Sequence, residues 1–266
     1  MSVSTIKGFI NRTRAGVRYY SSVLKSDPRL LTQRKVFHAG IQRSGTNFLR
    51  SVLEQTVWVR VANAIDPVRN HPFHKHFRLQ DQKTSIIMDP QYQNDLRFTD
   101  LDSYLSAADR RAAIDAWPCI VIYKDPVNWL ESIMRWGLKC GWIPNEDALL
   151  KTNLWSDWLA EYVAYYAKWM EFSEQSPEQV KLIQYEDIIL SPKETLADLA
   201  QFLGRSIKST HTGFIQQVAQ SRRRTLDELR ADITKTPFGQ KQVEDIYKLT
   251  PRIGHSKPLW RVSADK

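Results

Sequence analysis

The chain has 266 residues, of which 42% are hydrophobic, and it carries a formal net charge of +9 with only two cysteines. This length and composition can bury a sizeable core, and two cysteines exclude both a disulfide framework and a cysteine-built zinc module. There is no apolar run of about 20 residues that could span a membrane, and the N-terminus lacks the apolar block of a secretory signal. We therefore expect a soluble, cytoplasmic globular protein.

The excess positive charge is concentrated at the N-terminus. Residues 1–35 contain eight lysines and arginines against one acidic residue, Asp27, and so account for +7 of the net charge. We define residues 1–34 as a basic N-terminal arm and predict an amphipathic helix in it. Three interpretations fit this arm: peripheral contact with an anionic membrane or acidic partner, a solvated helix packed on the domain, and an organelle transit peptide. The residues at helical spacing are Ile6, Ile10, Thr13, Val17 and Tyr20.

After the arm, apolar runs alternate with helical patterns. In the first unit, residues 35–39 predict a buried strand and residues 46–56 predict an amphipathic helix. In the second, residues 119–123 predict a strand, and a helix follows in which Asp125 is the N-cap and Pro126 the first residue. Each unit is thus a strand, a short loop and a helix.

A third unit has the same order. Residues 180–185 predict a strand, and residues 192–203 predict a helix that Gly204 ends. Repeated strand and helix units indicate an α/β fold with three αβα layers and a central, mostly parallel sheet. We expect residues 35–266 to form one such domain.

A long aromatic and apolar stripe lies between the second and third units. At helical spacing such a stripe is typical of a core helix, and we predict a structural role for it. Residues 234–266 show no regular pattern, and we predict irregular structure there. The members of the stripe are Trp155, Trp158, Leu159, Tyr162, Val163, Tyr166, Trp169 and Met170.

The loop of the first unit has the character of a phosphate-binding loop. Residues 38–50 read HAGIQRSGTNFLR, and the helix that begins in this segment offers converging backbone N–H groups and a dipole that favours an anion. Two glycines have the spacing of the nucleotide-triphosphatase signature G-x-x-x-x-G-K-[ST]. Thr46 and Asn47, however, stand where that signature has lysine and serine or threonine. The loop therefore keeps Arg43 as its cation and lacks the γ-phosphate lysine.

The segment R-S-G-T-N-F in this loop resembles the 5′-phosphosulfate-binding loop of sulfotransferases that use 3′-phosphoadenosine 5′-phosphosulfate (PAPS). Lys124 with Ser132 eight positions later resembles the family's 3′-phosphate-binding strand and helix, although the family usually has arginine at the first position. The segment Y-E-D that starts at Tyr185, with L-G downstream, resembles a further family stretch. The match covers roughly residues 35–204. The resemblance implies a P-loop-like fold. It also implies an enzyme that transfers a sulfonate from PAPS to a hydroxyl or amine by in-line displacement and needs no metal.

The resemblance gives each matched residue a role. Arg43 would neutralise charge on the bridging oxygen, Lys124 and Ser132 would bind the 3′-phosphate, and Phe48 and Tyr185 would lie near the adenine. A point-charge lysine replaces the bidentate fork of arginine at position 124. Asn47 replaces a threonine of the family pattern. The residues expected to hold the 5′-phosphate through backbone or side-chain donors are Ser44, Gly45, Thr46, Asn47 and Phe48.

A general base for the acceptor is predicted among the histidines of residues 71–77. In the family the base is a histidine of a K-x-H strand or a glutamate of the same region. An extended segment here would project His74 and His76 to one face and Lys75 to the other. His76 stands where the K-x-H histidine would, with His74 in the place of the lysine, and imidazole titrates near neutrality, so we assign His76 as base, with His74 and Lys75 as alternatives. A zinc site from the three histidines is disfavoured, since their spacing suits no familiar ligand pair.

The sequence leaves the acceptor open among carbohydrates, lipids, small alcohols and protein tyrosines. Trp136 and Trp142 are candidate walls of its pocket, together with the loops at residues 61–75, 88–100 and 137–155. The basic arm favours a membrane-associated glycan or lipid. We make no prediction of the oligomeric state.

Other functions compete with sulfonate transfer. A P-loop kinase would need a lysine at position 46 and magnesium ligands, and a non-catalytic nucleotide-binding protein would need no base. A nucleic-acid-binding module is disfavoured because the positive charge is concentrated in the arm and no base-reading motif occurs. The basic run at residues 222–224 fits either a further 3′-phosphate contact or the start of a solvated helix, and we leave it outside the predicted site.

Overall fold

A computed structural model of the chain describes residues 34–57, 59–61, 76–77, 117–141, 143–147, 154–207 and 225–250. The N-terminal arm lies outside these ranges except for Arg34, which begins the first strand. The described strands are β1 (Arg34–Ile41), β2 (Val59–Val61), β3 (His76–Phe77), β4 (Cys119–Tyr123) and β5 (Val180–Gln184). The described helices are α1 (Thr46–Thr56), α2 (Pro126–Cys140), α3 (Leu154–Gln175), α4 (Tyr185–Leu190), α5 (Pro192–Phe202), α6 (Leu226–Ile233) and α7 (Gln240–Leu249).

The sheet is parallel and has β1 and β4 at its centre. Its strand order is β2-β1-β4-β5, and all pairings between these strands are parallel. The short strand β3 also pairs in parallel with β1, through Gly40 and Ile41 at the carboxyl end of that strand. The carboxyl ends of β1, β3 and β4 therefore lie at the same edge of the sheet, as expected for a ligand-binding edge in this architecture.

Both faces of the sheet are buried, which explains its continuous apolar strands. In β4, Cys119 and Val121 pack into the core on one face, while Ile120 and Ile122 pack into the core on the other. Helices α2, α3 and α7 cover the first face, and α1, α4, α5 and α6 cover the second. The predicted three-layer α/β fold with a parallel sheet is thus confirmed.

The aromatic stripe belongs to the core, as predicted. Trp158, Tyr162 and Trp169 of α3 are fully buried against the sheet. Tyr166 also makes hydrogen bonds to two strands. Its hydroxyl accepts from Ile41 N–H at 3.3 Å and donates to the Ile122 carbonyl at 2.8 Å. One side chain thereby joins the carboxyl ends of β1 and β4.

Several predicted boundaries match the structure. Helix α1 and strand β4 have the predicted limits, and α2 begins at Pro126 with Asp125 as its N-cap, whose Oδ1 accepts from Val127 N–H at 2.9 Å. Gly204 follows α5 in the left-handed region at φ 58°, as a helix-ending glycine does. Strand β5 is one residue shorter than predicted because Tyr185 already belongs to α4.

The prediction of irregular structure after residue 234 is wrong for α7. This helix begins after Gly239, whose N–H donates to Gln242 Oε1 at 3.0 Å. Only a narrow stripe of it is apolar, and Val243 and Ile246 are its buried members. The apolar residues nevertheless recur at helical spacing, so the sequence carried a helical signal that the prediction overlooked, and packing against α2 and α3 stabilises the helix in the fold.

The structure also bears on two expectations from composition. Cys119 is buried and Cys140 is half-buried, and the two do not form a disulfide. Of the helices in the described ranges, none has the length and apolar character needed to cross a membrane.

Candidate active site

The loop between β1 and α1 is built by backbone geometry. Gly45 is the N-cap of α1 at φ 103°, and Arg43 also adopts a positive φ, 72°, which is uncommon outside glycine. Ser44 N–H donates to the Ile41 carbonyl at 3.1 Å, and the Gly45 carbonyl accepts the first hydrogen bonds of the helix. The amides ahead of those bonds lie at the helix N-terminus, where no intrahelical carbonyl is in reach and an anion is favoured.

Glycine is required at position 45 by contact as well as by φ. A Cβ on Gly45 would lie 2.7 Å from Cδ2 of Tyr185, at the start of α4. A Cβ on Gly40 would collide with the hydroxyl of Ser44. Within the described part of the chain, this buried Ser44 hydroxyl has no hydrogen-bond partner. The loop therefore folds back tightly on the end of its own strand.

The loop is attached to the next strand and helix unit by α2. Trp129 of α2 donates from its indole N–H to the Gln42 carbonyl at 2.9 Å, and its side chain is fully buried. Its ring packs on Tyr162 with 4.6 Å between centroids. The position of the loop is thus fixed relative to the turn between β4 and α2.

The turn between β4 and α2, residues 124–128, is held by a buried carboxylate. Glu186 has no exposed surface and accepts from Asp125 N–H at 3.0 Å and from Asn128 Nδ2 at 2.9 Å. The same Asn128 nitrogen donates to the Ile233 carbonyl at 3.3 Å, which ties α6 to the turn. Glu186 therefore connects α4 with both ends of the turn.

A second buried carboxylate completes this network. Asp125 accepts from the hydroxyl of Tyr247 in α7 at 2.9 Å, and Tyr162 donates to the Lys124 carbonyl. Burial and then the nearby charge of Asp125 raise the pKa of Glu186 to about 7, against the effect of hydrogen bonds and Lys124. Burial also raises the pKa of Tyr247 far above its ordinary value, so its hydroxyl remains a donor. The turn is rigid because side chains from three other helices hold it.

The loop and the turn border one cavity of about 420 Å³. This volume lies in the range of small-ligand sites. The residues that line the cavity are Arg43, Lys124, Asn128, Glu131, Ser132, Arg135, Trp136, Lys139, Tyr185, Leu229, Asp232 and Ile233.

Aromatic rings support the two cations assigned to phosphate. Lys124 Nζ lies 4.4 Å from the ring centroid of Tyr185, and Arg43 Cζ lies 4.9 Å from that of Trp136. Cations at these distances are attracted by the ring face. The cavity thus carries the cations Arg43 and Lys124 together with Tyr185 and the apolar surface of Leu229 and Ile233.

Comparison with known proteins identifies the family. The profile of the sulfotransferase domain matches residues 33–248. The chain belongs to the sulfotransferase domain family. Among solved structures it is similar to mouse sulfotransferase SULT7A1 complexed with PAP, with 15% identity over 78% of this chain and 68% of that one, at a TM-score of 0.37. The chain matches none of the curated proteins.

Four predicted site residues of this sulfotransferase meet in the cavity. Arg43, Lys124, Ser132 and Tyr185 come from three separate segments of the chain and line the same space. Their predicted ligands stay predictions, but the sequence separation of these residues makes their convergence informative. Within the described ranges, no cluster of histidine, cysteine and carboxylate side chains could hold a metal ion.

Other predicted residues differ in exposure. Asn47 is exposed at the helix N-terminus, whereas Thr46 is buried. Phe48 has no exposed surface, and its ring meets that of Tyr185 edge-on at 5.3 Å between centroids. Phe48 thus supports Tyr185 from the core side, and the predicted contact with an adenine would require its ring to move.

The predicted base is described only through its backbone. His76 lies in β3, and its Cα pairs with that of Gly40, close to the start of the loop. His71, His74 and Lys75 lie outside the described residues, as do Trp142 and residues 222–224. The backbone of position 76 thus lies close to the loop between β1 and α1, and the assignment of His76 as base stays a prediction.

Sequence analysis missed the residues that hold the turn. Asp125 was predicted only as the N-cap of α2, Glu186 was quoted as part of a motif without a role, and Asn128 and Tyr247 were not considered. The available signal was the pair of acidic residues in the segments D-P and Y-E-D. Acidic residues beside predicted buried strands need partners, and this requirement pointed to a polar network.

Proposed function

We propose that the protein transfers a sulfonate group from PAPS to a hydroxyl or amine of an acceptor. The observation that carries this proposal is the single cavity lined by Arg43, Lys124, Ser132 and Tyr185. These residues match the two phosphate-binding motifs of the family, and the chain's membership of that family supports sulfonate transfer in general.

The donor would bind along the carboxyl edge of the sheet. Its 5′-phosphate would lie at the N-terminus of α1, against the amides and hydroxyls of residues 44–48. Its 3′-phosphate would lie between Lys124 and Ser132, one at the end of β4 and the other in the second turn of α2. Tyr185 would contact the adenine, because its ring borders the cavity next to Lys124.

In the chemical step, the acceptor oxygen attacks sulfur as the bond from sulfur to the bridging oxygen breaks. The products are the sulfated acceptor and 3′-phosphoadenosine 5′-phosphate (PAP), on which the bridging electrons remain. Arg43 is an exposed cation on the loop and would stabilise the charge that develops on this leaving oxygen. The acceptor proton would pass to His76, whose backbone pairs with that of Gly40 beside the loop.

The donor is tested by ligand-induced thermal stabilisation. PAP without magnesium should raise the melting temperature, since a ligand that binds only the native state stabilises it. ATP with magnesium should have little effect, because the loop has no lysine at position 46. Stabilisation by ATP with magnesium alone would instead support a P-loop kinase. Formation of a sulfated product from PAPS separates an enzyme from a protein that only binds the nucleotide.

The assignment of the base has its own test. His76→Ala should lower kcat strongly and leave the affinity for PAP nearly unchanged, because the base acts on the acceptor. His74→Ala is the matched control. An unchanged kcat in His76→Ala, with a loss in His74→Ala, would move the base to His74.

We also propose a class of acceptor and a role for the basic N-terminal arm. A carbohydrate, lipid or small alcohol would serve as acceptor, and the basic residues of the arm would favour an acceptor at an anionic membrane. Screening pools of such acceptors with PAPS, by mass spectrometry for an added sulfonate, identifies the class directly.

A further inference from the structure

Asn128, in the first turn of α2, is held in one orientation by the network beneath the turn. Its Nδ2 donates to Glu186 Oε1 at 2.9 Å and to the Ile233 carbonyl at 3.3 Å, so both of its N–H groups are used. A carbonyl oxygen can only accept, so reversal of the amide would set Oδ1 of Asn128 against the Ile233 carbonyl. The side-chain oxygen is therefore fixed in the direction away from these two partners.

This oxygen remains open to a ligand. Asn128 is only 7% exposed, and its side-chain hydrogen bonds all run through Nδ2, so no residue in the described part of the chain donates to Oδ1. The residue lines the cavity, and Oδ1 is not sealed off from it in the core. Polar atoms of deeply buried side chains are paired in native proteins. Oδ1 is therefore an acceptor for a hydrogen-bond donor that enters the cavity.

Other oxygen acceptors lie near Asn128 in the same wall of the cavity. Glu131 follows it by three residues on α2, and Asp232 directly precedes Ile233, whose carbonyl Asn128 contacts. Burial raises the pKa of Glu131, and the charge of nearby Asp232 adds to this rise against the effect of Arg135 and Lys124. A wall of acceptors repels a phosphate and favours a group that donates hydrogen bonds.

The donor nucleotide offers two such groups, the ribose 2′-hydroxyl and the exocyclic amine of adenine, because its phosphate and sulfate groups act as acceptors. Asn128 lies four residues before Ser132 on one face of α2, about 6 Å along the helix axis, and so beside the proposed 3′-phosphate contact. The 2′-hydroxyl is on the ribose carbon next to the one that carries the 3′-phosphate, whereas the amine is at the far edge of the base. The 2′-hydroxyl is thus the nearer donor.

We propose that Asn128 selects a ribonucleotide donor, because its Oδ1 accepts a hydrogen bond from the 2′-hydroxyl. Glu186 and the Ile233 carbonyl fix the amide in the orientation that presents this oxygen. Asn128 is then a specificity-determining residue of the donor site, and the buried network acts on the ribose as well as on the turn. This role rests on the proposed function, since PAPS is taken as the donor.

The role is tested first with two nucleotides that differ by one oxygen atom. PAP and its 2′-deoxy analogue, 2′-deoxyadenosine 3′,5′-bisphosphate, are titrated separately into the full chain by isothermal titration calorimetry. We expect PAP to bind about fivefold more tightly, as for one hydrogen bond to a neutral acceptor. This comparison needs no variant, so equal affinities overturn the role of Asn128 whether or not a variant at this position folds.

Asn128→Ala locates the preference. The ratio of affinities for PAP and the 2′-deoxy analogue should fall about fivefold, to near one, even where loss of the network weakens both nucleotides together. The ratio for PAP and inosine 3′,5′-bisphosphate, which has a carbonyl in place of the amine, should be the same as in the wild type. Gln201→Ala, an exposed substitution in α5 outside the cavity, also removes a carboxamide and should leave both ratios unchanged.

The remaining outcomes separate this role from the proposed function. A preference for PAP over the 2′-deoxy analogue that persists in Asn128→Ala overturns the role, because another group then contacts the hydroxyl. A preference for PAP over the inosine nucleotide that disappears in Asn128→Ala assigns Asn128 to the adenine amine and also overturns it. Binding of neither PAP nor its analogue overturns the proposed function together with this role, whereas equal binding of both removes the role of Asn128 alone.

Discussion

The two regions proposed to bind phosphate groups are built on different physical principles. The loop of residues 42–45 is shaped by positive φ angles and by the absence of a Cβ at Gly45, and its cation is exposed. The turn of residues 124–128 has ordinary helix-start geometry, but Glu186 and Asp125 hold it from beneath as fully buried carboxylates. The conformation of the loop depends on the absence of a side chain at Gly45, and that of the turn depends on a network of buried side chains.

This difference determines which substitutions should disrupt the loop and which should disrupt the turn. The loop should keep its conformation when a side chain is changed and the backbone geometry is preserved, but it should not accommodate a Cβ at Gly45. The turn should keep its conformation when its half-buried cation, Lys124, is changed, whereas any change of its buried hydrogen-bonding groups should weaken folding and binding together. The predictions below run from the largest expected effect to the smallest.

The largest effect is expected for Gly45→Ala. A non-glycine residue at φ 103° costs about 1 to 3 kcal/mol, and the new methyl group would also meet Cδ2 of Tyr185 at 2.7 Å. We expect the affinity for PAP, measured by isothermal titration, to fall about 100-fold or more. Gly204→Ala is the matched control, since Gly204 also has a positive φ, 58°, but its nearest neighbour is Arg34 Nη1 at 3.6 Å. Equal losses of PAP binding in both variants would contradict a backbone-built loop.

The second-largest effect is expected for substitution of Arg43, the cation of the loop. Arg43→Ala keeps a non-glycine residue at φ 72°, so it removes the guanidinium without changing the demands on the backbone. We expect kcat to fall about 100-fold to 1000-fold, as for the loss of one group that stabilises transition-state charge, with a smaller change in PAP affinity. Arg43→Lys should recover much of the rate. A fall in PAP affinity as large as the fall in kcat would show ground-state binding instead.

The backbone-built region is also the one that sequence analysis describes well. Glycine spacing, a strand before the loop and a helix after it are local signals, and they predicted α1 to the residue. The strand, N-cap and helix around Lys124 and Ser132 were found in the same way, but the role of these two residues came only from the resemblance to the sulfotransferase family. Local patterns together with that resemblance therefore brought the cations of both regions into one predicted site.

The network beneath the turn could not be predicted in this way. Glu186 and Tyr247 lie 61 and 122 residues from Asp125, and only the packing of α4 and α7 brings them there. Helix α7 was not predicted, so its tyrosine had no predicted position. Likewise, the burial of Phe48 depends on how α1 and α4 meet, which a motif match does not specify. Contacts over long separations are decided by tertiary packing.

The third prediction tests this network through pH. Burial and the charge of Asp125 raise the pKa of Glu186 to about 7, above the ordinary value of about 4.3 in an unfolded chain. The native protein thus holds this proton more tightly, and the resulting stability is complete below about pH 4 and is lost as pH rises through about 7. The glutamine of Glu186→Gln does not titrate. One of its amide N–H groups, however, would face another hydrogen-bond donor, either Asp125 N–H or Asn128 Nδ2, and would be left without an acceptor.

Urea unfolding between pH 5 and pH 8 measures this difference. We expect Glu186→Gln to be less stable than the wild type at pH 5, by about 1 to 3 kcal/mol for an unsatisfied buried group, with the gap narrowing towards pH 8. Glu178→Gln, an exposed substitution outside the network, serves as the control. A gap that is constant with pH would mean that Glu186 does not titrate in this window.

The smallest effect is expected for substitution of Lys124, at the first position of the turn. Lys124 is half-buried, and its ammonium lies on Tyr185, so Lys124→Gln removes one charge and leaves the hydrogen bonds of the carboxylates below in place. We expect its ratio of affinities for PAP and adenosine 5′-phosphate to fall about fivefold, as for a partly solvated ionic contact of about 1 kcal/mol. Lys124→Arg should preserve the ratio or raise it, since guanidinium binds phosphate in a bidentate manner. Lys181→Gln is the control, because Lys181 pairs with Asp198 away from the cavity. If Lys124→Gln weakened both nucleotides equally, the 3′-phosphate would not be its ligand, and the side-chain network would be supporting a different contact.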